Sequence, residues 1–182
     1  SEWKTAISFF ESYLTLNPGS VTARIYLGKL YLWSERTDEA DALVKAAADL
    51  DESNLSASAE IHLLAGRIAT RRGDWALAHK EFQRADEWLD DTPDWLLKAS
   101  IAESEGLSYA SQDKWSLAER AFDRALSFYQ ITQSPIGLNS VRLHLANALF
   151  AQGKIEKAEA LYRSAKNNIL RIQLEFLYSM LE

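Results

Sequence analysis

Residues 73–85 have the sequence GDWALAHKEFQRA, and this stretch decides the fold. Its apolar residues are three or four positions apart, which places them on one face of an α-helix: Trp75, Ala78, Phe82 and Ala85. Gly73 is suited to end a preceding helix, and Asp74 is suited to cap the next one. The stretch therefore predicts a tight junction between two helices, followed by the second of them.

The same pattern occurs several times along the chain. Its central alanine has five copies, which are separated by 34, 38, 40 and 40 residues: Ala6, Ala40, Ala78, Ala118 and Ala158. A pattern that recurs at such intervals is the signature of a repeat array. We therefore predict an unpaired second helix in residues 1–20, helix pairs in 21–54, 55–92, 93–132 and 133–170, and a helical extension in 171–182.

Local signals place the individual helices. Apolar periodicity predicts helices over residues 2–16, 20–35, 37–50, 55–72, 74–90, 93–112, 114–131, 135–152 and 154–170. Thr92 and Ser134 each precede a proline and are predicted to be N-caps. A second signal is a small residue inside the first helix of each pair, where it would let the partner helix approach closely: Gly28, Gly66, Gly106 and Ala146.

These residues resemble the tetratricopeptide repeat family. The stretch from Leu27 to Tyr31 matches the family's Leu-Gly-x-x-Tyr core, and the alanine of the second helix is present in all five copies. The tryptophan that opens the family's first helix is replaced here, by Arg24, His62, Ala102 and Arg142. The longer repeats, of about 38–40 residues, resemble those inside large bacterial signal-responsive regulators. The resemblance implies an all-α fold over residues 1–182, a right-handed superhelical solenoid of antiparallel helix pairs.

Composition excludes several classes of function. The chain has 182 residues, a formal net charge of −6 and no cysteine, so disulfides and thiolate metal sites are excluded. The acidic balance argues against broad nucleic-acid binding, which needs a basic surface. No apolar run is long enough to suggest a membrane span. The sequence favours a cytoplasmic location and leaves the periplasm and the cell exterior open.

Candidate catalytic residues are few. The three histidines, His62, His79 and His144, lie in different repeats without the spacing of metal ligands. No glycine-rich stretch has the phosphate-binding pattern. We therefore expect no enzyme activity, no cofactor and no metal.

The main functional hypothesis is a protein–protein interaction scaffold that binds a protein or peptide segment; the alternative is a sensory or effector-binding domain of a bacterial transcriptional or signalling regulator. In the family, the first helix of each pair usually lines the concave groove. Two rows at four-residue spacing are predicted to lie there: Ile25, Lys29 and Trp33, then Leu63, Arg67 and Arg71. They would form a basic, partly aromatic surface for an acidic or carboxylate-bearing segment. The competing interpretation is that the charged members are ordinary solvated side chains.

The C-terminal residues are rich in large apolar side chains. Capped repeat arrays present a polar outer face, and this end of the chain does not. We therefore expect Phe176, Leu177 and Met180 to form an association surface, either in a longer array or between two copies of the chain. The alternative is a tail that folds back on the last repeat.

Overall fold

The computed structural model describes residues 2–48 and 54–179, and its side chains over 3–48 and 54–168. Within those ranges the backbone forms nine α-helices and no strand, which confirms the predicted all-α fold. The helices are α1 (Glu2–Leu16), α2 (Val21–Trp33), α3 (Thr37–Ala48), α4 (Leu55–Arg72), α5 (Trp75–Glu87), α6 (Trp95–Ala110), α7 (Trp115–Thr132), α8 (Pro135–Ala151) and α9 (Ile155–Ser179).

The junction between α4 and α5 has the predicted chemistry. Gly73 has a φ of 73°, a left-handed conformation that glycine adopts without a steric cost. The Asp74 side chain accepts a hydrogen bond from the Leu77 amide at 3.1 Å, which satisfies one of the free donors at the start of α5. Ser134 caps α8 in the same way, directly before a proline, as predicted.

The predicted cap at Thr92 is wrong. Helix α6 begins at Trp95, and the Asp94 carboxylate accepts from the Leu97 amide at 3.1 Å. Thr92 instead donates its hydroxyl hydrogen bond back to the Leu89 carbonyl at 3.2 Å. Residue 94 is the cap because it directly precedes the first helical residue, so its carboxylate reaches the amide three residues ahead.

The chain divides into two compact units after Leu97. In the first unit α1 packs on α2, α2 on α3, α3 on α4 and α4 on α5, and α2 also packs on α4. In the second unit α8 packs on both α7 and α9. Short connections make consecutive helices antiparallel neighbours, as in helical hairpins. That both units belong to one continuous array remains a prediction.

Each unit contains a phenylalanine ring that lies directly on a glycine of the preceding helix. A Cβ atom added to Gly66 would come within 2.5 Å of the Phe82 ring, and one added to Gly106 would come equally close to Phe122. Both rings are among the largest fully buried side chains. The predicted packing role of these two glycines is therefore confirmed.

Gly28 differs from these two. A Cβ atom there would lie 3.6 Å from Leu64 and 4.0 Å from Val44, which is ordinary van der Waals contact. The side chains that face this position leave room for a Cβ atom, so the packing does not require glycine there. In the last pair Ala146 occupies the small-residue position, and Tyr162, at the position that corresponds to Phe82 and Phe122, is only half-buried.

We expect Phe82→Ala and Phe122→Ala each to lower the free energy of unfolding by about 3–5 kcal/mol. Removal of a fully buried ring loses its transfer free energy and leaves a cavity. Chemical denaturation followed by circular dichroism measures the change. A loss below about 1 kcal/mol in either variant, the level of many surface substitutions, would contradict this packing.

We also expect opposite effects from two glycine substitutions. Gly66→Ala should destabilise the protein by about 1–3 kcal/mol, because the new methyl group would overlap the Phe82 ring. Gly28→Ala is the matched control and should be stabilising by up to about 1 kcal/mol, since alanine favours helix and has room there. Thermal melts of both variants check the pair, and a shift in the same direction would contradict the account.

Candidate functional site

Two residues of the predicted rows belong to the core. Ile25 is 4% exposed and Leu63 is 2% exposed, so neither offers apolar surface to a ligand. Each precedes a small inward-facing residue, Gly28 or Gly66, by three positions and shares its face of the helix. The expectation that Leu63 contacts a bound segment is therefore corrected: its side chain packs inside the first unit.

Lys29 is accessible but already paired. Its ammonium lies 2.8 Å from the Glu60 carboxylate of α4 and 5.2 Å from the centroid of the Tyr26 ring. Lys29 and Glu60 are both half-buried, so this pair ties the two first helices of consecutive repeats together. A ligand carboxylate at Lys29 would have to compete with Glu60. Sequence reasoning missed this partner because the pairing depends on how α2 and α4 are aligned.

Trp33 is the most accessible apolar member of the two rows. Its side chain is 68% exposed, although one edge contacts the Trp3 ring of α1, with centroids 4.9 Å apart. The rings meet at 82°, an edge-to-face arrangement that is favourable for aromatic pairs. Most of the Trp33 indole therefore remains available for contact while its position on α2 is held by Trp3.

The arginines near the end of α4 have different surroundings. Arg67 is half-buried and engages in a contact within the protein, whereas Arg71 is exposed. The next residue, Arg72, binds two carboxylates of α3, with 2.7 Å to Asp38 and 2.8 Å to Asp41. Of the three basic residues in the two predicted rows, Lys29 and Arg67 are therefore already engaged within the protein, and Arg71 has an exposed side chain.

A second accessible feature of the first unit is an open surface cavity of about 470 Å³ lined by His62, Arg84, Glu87 and Trp88. Two of these residues, His62 and Arg84, contact Glu81, which is 8% exposed. The Glu81 carboxylate is 2.7 Å from His62 Nδ1 and 3.2 Å from Arg84 Nη1. Sequence reasoning did not single out this group, although a glutamate on the inward face of α5 was a visible signal.

The second unit has its own carboxylate network, around Glu103, whose side chain is 14% exposed. It accepts hydrogen bonds from the Tyr129 hydroxyl at 2.8 Å, the Ser140 hydroxyl at 2.6 Å and His144 Nδ1 at 3.0 Å. Burial opposes ionisation, but the hydrogen bonds from His144, Ser140 and Tyr129 outweigh it and hold the pKa of Glu103 below its usual value. This network joins α6, α7 and α8 and is satisfied within the protein.

The histidines of the described residues make separate contacts and are not grouped with one another. In the part of the chain that the structure describes, no three His, Cys, Asp or Glu side chains are grouped in a way that could hold a metal ion. His62 and His144 each bind a glutamate, and His79 is exposed with a contact of its own.

Most of the predicted association surface lies outside the residues whose side chains the structure describes. The backbone of α9 continues as helix to Ser179 and so includes Phe176 and Leu177, whose side chains are not among those described. Met180 lies outside the described residues. Association through these residues remains a prediction.

None of the described helices has both the length and the apolar character that crossing a membrane requires.

Comparison with known proteins supports the family resemblance inferred from the sequence. Residues 1–57 match the family model described as tetratricopeptide repeat. No curated protein matches the chain.

Solved structures extend the likeness to nearly the whole chain. BtubC from P. vanneervenii superimposes with a TM-score of 0.76 at 20% identity, over 95% of this chain and 75% of that one. A thermophilic TPR protein from Thermus thermophilus gives 0.73 at 19% identity, over 99% and 91%. YrrB, whose structure is described as a TPR protein with an unusual peptide-binding site, gives 0.55 at 19% identity, over 92% and 78%. These likenesses show the fold.

We expect Glu103→Gln to lower the free energy of unfolding at neutral pH by about 1–3 kcal/mol, because an amide cannot accept all of the hydrogen bonds that the carboxylate accepts. The folded-state pKa lies below the ordinary value of 4.5, so the ionised network stabilises the fold above that pH. Its contribution is lost as the pH falls through the folded-state pKa.

The difference between wild type and Glu103→Gln should therefore shrink in acid. Urea denaturation at neutral pH and below 4.5 measures it. Glu159→Gln, at an exposed position of α9, is the control and should follow the wild type at both pH values. A difference that is independent of pH would show that the Glu103 charge does not stabilise the fold.

Proposed function

We propose that this chain, whose helix pairs have the tetratricopeptide repeat fold, is an interaction scaffold that binds a segment of another protein through the C-terminal ends of α2 and α4. The observation that carries this proposal is the exposure of the Trp33 indole, at 68%, on a helix that packs against α4. Large aromatic side chains are costly to leave in water and are enriched at the centres of protein interfaces.

Arg71 supplies the polar part of the surface. Trp33 ends α2 and Arg71 lies in the last turn of α4, so the indole and the guanidinium are at corresponding ends of neighbouring helices. Arginine binds carboxylates through paired hydrogen bonds. The complementary ligand is a protein or peptide segment with a large apolar side chain and a nearby carboxylate. Lys29 and Arg67 lie one helical turn before Trp33 and Arg71. Both are already engaged within the protein, so we place them at the edge of the surface.

The alternative function, a sensory domain of a regulator, has separate support. The cavity beside His62 and Trp88 has about 470 Å³, which is in the range of small-molecule sites, about 300–1,000 Å³. A scaffold that binds a segment on α2 and α4 does not need this cavity.

Selection from a random peptide display library tests the scaffold function. We expect enrichment of peptides that combine an acidic residue with a large apolar one. For the tightest peptide, fluorescence anisotropy should show at least tenfold weaker binding to the double variant Trp33→Ala/Arg71→Glu, which corresponds to about 1.4 kcal/mol. Replacing the acidic residue of the peptide by its amide should weaken binding to the wild type but not further weaken binding to the variant.

The matched control is Ile136→Ala/Lys80→Glu. It removes an exposed apolar side chain of α8, 82% exposed against 68% for Trp33, and makes the same charge change on α5, so neither substitution is on α2 or α4. Its affinity should equal that of the wild type. Failure to select any peptide, or equal losses in both double variants, would refute the proposed site.

A further inference from the structure

Glu81 is a buried charge that the fold does not require. The corresponding residue of the second helix is apolar in each of the other pairs: Leu43, Ala121 and Leu161. These residues show that the helix pair is built with an apolar side chain at this position. Burying a carboxylate costs free energy unless partners compensate for the lost hydration. Packing alone therefore does not explain why Glu81 is 8% exposed in α5.

The two partners of Glu81, His62 and Arg84, do not use all of their polar atoms in these contacts. His62 Nδ1 faces one carboxylate oxygen at 2.7 Å, so the other ring nitrogen is not used by this contact. Arg84 Nη1 faces the second oxygen at 3.2 Å and spends one of the five donors of the guanidinium. Both residues also line the cavity of about 470 Å³. Glu81 is thus a positioning residue that fixes the orientation of two cavity-lining groups.

Glu103 in the second unit shows the contrasting arrangement. Its carboxylate receives hydrogen bonds from Tyr129, Ser140 and His144, and all four residues belong to one closed network between helices. Its role in joining α6, α7 and α8 is enough to explain why a carboxylate stands at that position. The Glu81 network instead opens into a cavity of ligand size.

The four lining side chains offer three kinds of contact. Arg84 is a cation, and its side chain is 47% exposed. Glu87 is an exposed anion three residues later, and Trp88 follows Arg84 by four residues and is half-buried. Residues at these spacings are neighbours on a helix surface. A purely anionic ligand would be repelled by Glu87, and a purely cationic one by Arg84.

We propose that this cavity binds a small zwitterion, an α-amino acid with a large apolar side chain. The Arg84 guanidinium binds the ligand carboxylate, with His62 beside it. The Glu87 carboxylate binds the ammonium group, and the Trp88 ring packs against the apolar side chain. This proposal develops the small-ligand alternative and is independent of the surface on α2 and α4, so either can fail without the other.

The rest of the chain supplies an internal comparison. Moving forward by one repeat, residues His62, Glu81, Glu87 and Trp88 correspond to Ala102, Ala121, Ser127 and Phe128. Only the arginine is kept, as Arg124, and it binds Glu105 at 3.0 Å. The second unit therefore has the same guanidinium without the rest of the group.

Isothermal titration calorimetry with three probes tests the assignment. L-Phenylalanine has both charges, 3-phenylpropionate lacks the ammonium group, and phenethylamine lacks the carboxylate. We expect saturable binding of L-phenylalanine and at least tenfold weaker binding of the other two. L-Leucine and L-tryptophan extend the series. Absence of saturable binding for all three amino acids at millimolar concentrations would overturn the proposal, as would equally tight binding of 3-phenylpropionate.

Variants then assign the two charges. Arg84→Gln and Glu87→Gln should each weaken L-phenylalanine binding at least tenfold, with circular dichroism confirming that each variant is folded. Glu87→Gln should not weaken 3-phenylpropionate, which has no ammonium group to lose. Arg124→Gln is the matched control and should leave every affinity unchanged. Retention of L-phenylalanine affinity in both cavity variants, or an equal loss in Arg124→Gln, would refute this site.

Discussion

The contact on which the rest of each unit depends is that of a phenylalanine ring with a glycine backbone. Phe82 on Gly66 and Phe122 on Gly106 bring two helices closer than any side chain at the glycine position would allow. The ring gains burial from this approach, and the helix accepts a residue that costs about 1 kcal/mol relative to alanine. Where the facing residue is short, as at Val44, the restriction on the glycine position disappears.

The fold was predictable from local signals, but the surface was only partly so. Apolar spacing places the helices well because burial of one face is a local property of the sequence. The rows on α2 and α4 were predicted by counting in fours, whereas a helix turns every 3.6 residues or so. That difference is enough to place Ile25 and Leu63 in the core while Trp33 remains exposed. The pairing of Lys29 with Glu60 depends on alignment between repeats, which local patterns do not encode.

Hydrogen-bonded carboxylates, Glu81 and Glu103, give the two units different chemical characters on the same helical frame. Glu103 binds hydroxyl and imidazole groups from two other helices and so strengthens the packing of α6, α7 and α8. Glu81 bridges α4 and α5 with fewer partners and leaves polar atoms at the edge of a cavity. A repeat frame tolerates both because only some positions of each helix pair are needed for packing.

The contact between Phe82 and Gly66 also fixes the position of α5 along the axis of α4. A slide of α5 along α4 by one turn would move the Phe82 ring from Gly66 onto positions that carry side chains, so only one axial register is sterically open. His62 lies one turn before Gly66, and Glu81 directly precedes Phe82. The 2.7 Å separation of the imidazole and the carboxylate is thus inherited from an apolar contact one turn away. Steric exclusion in the core thus sets the geometry of the His62–Glu81 pair at the edge of the cavity.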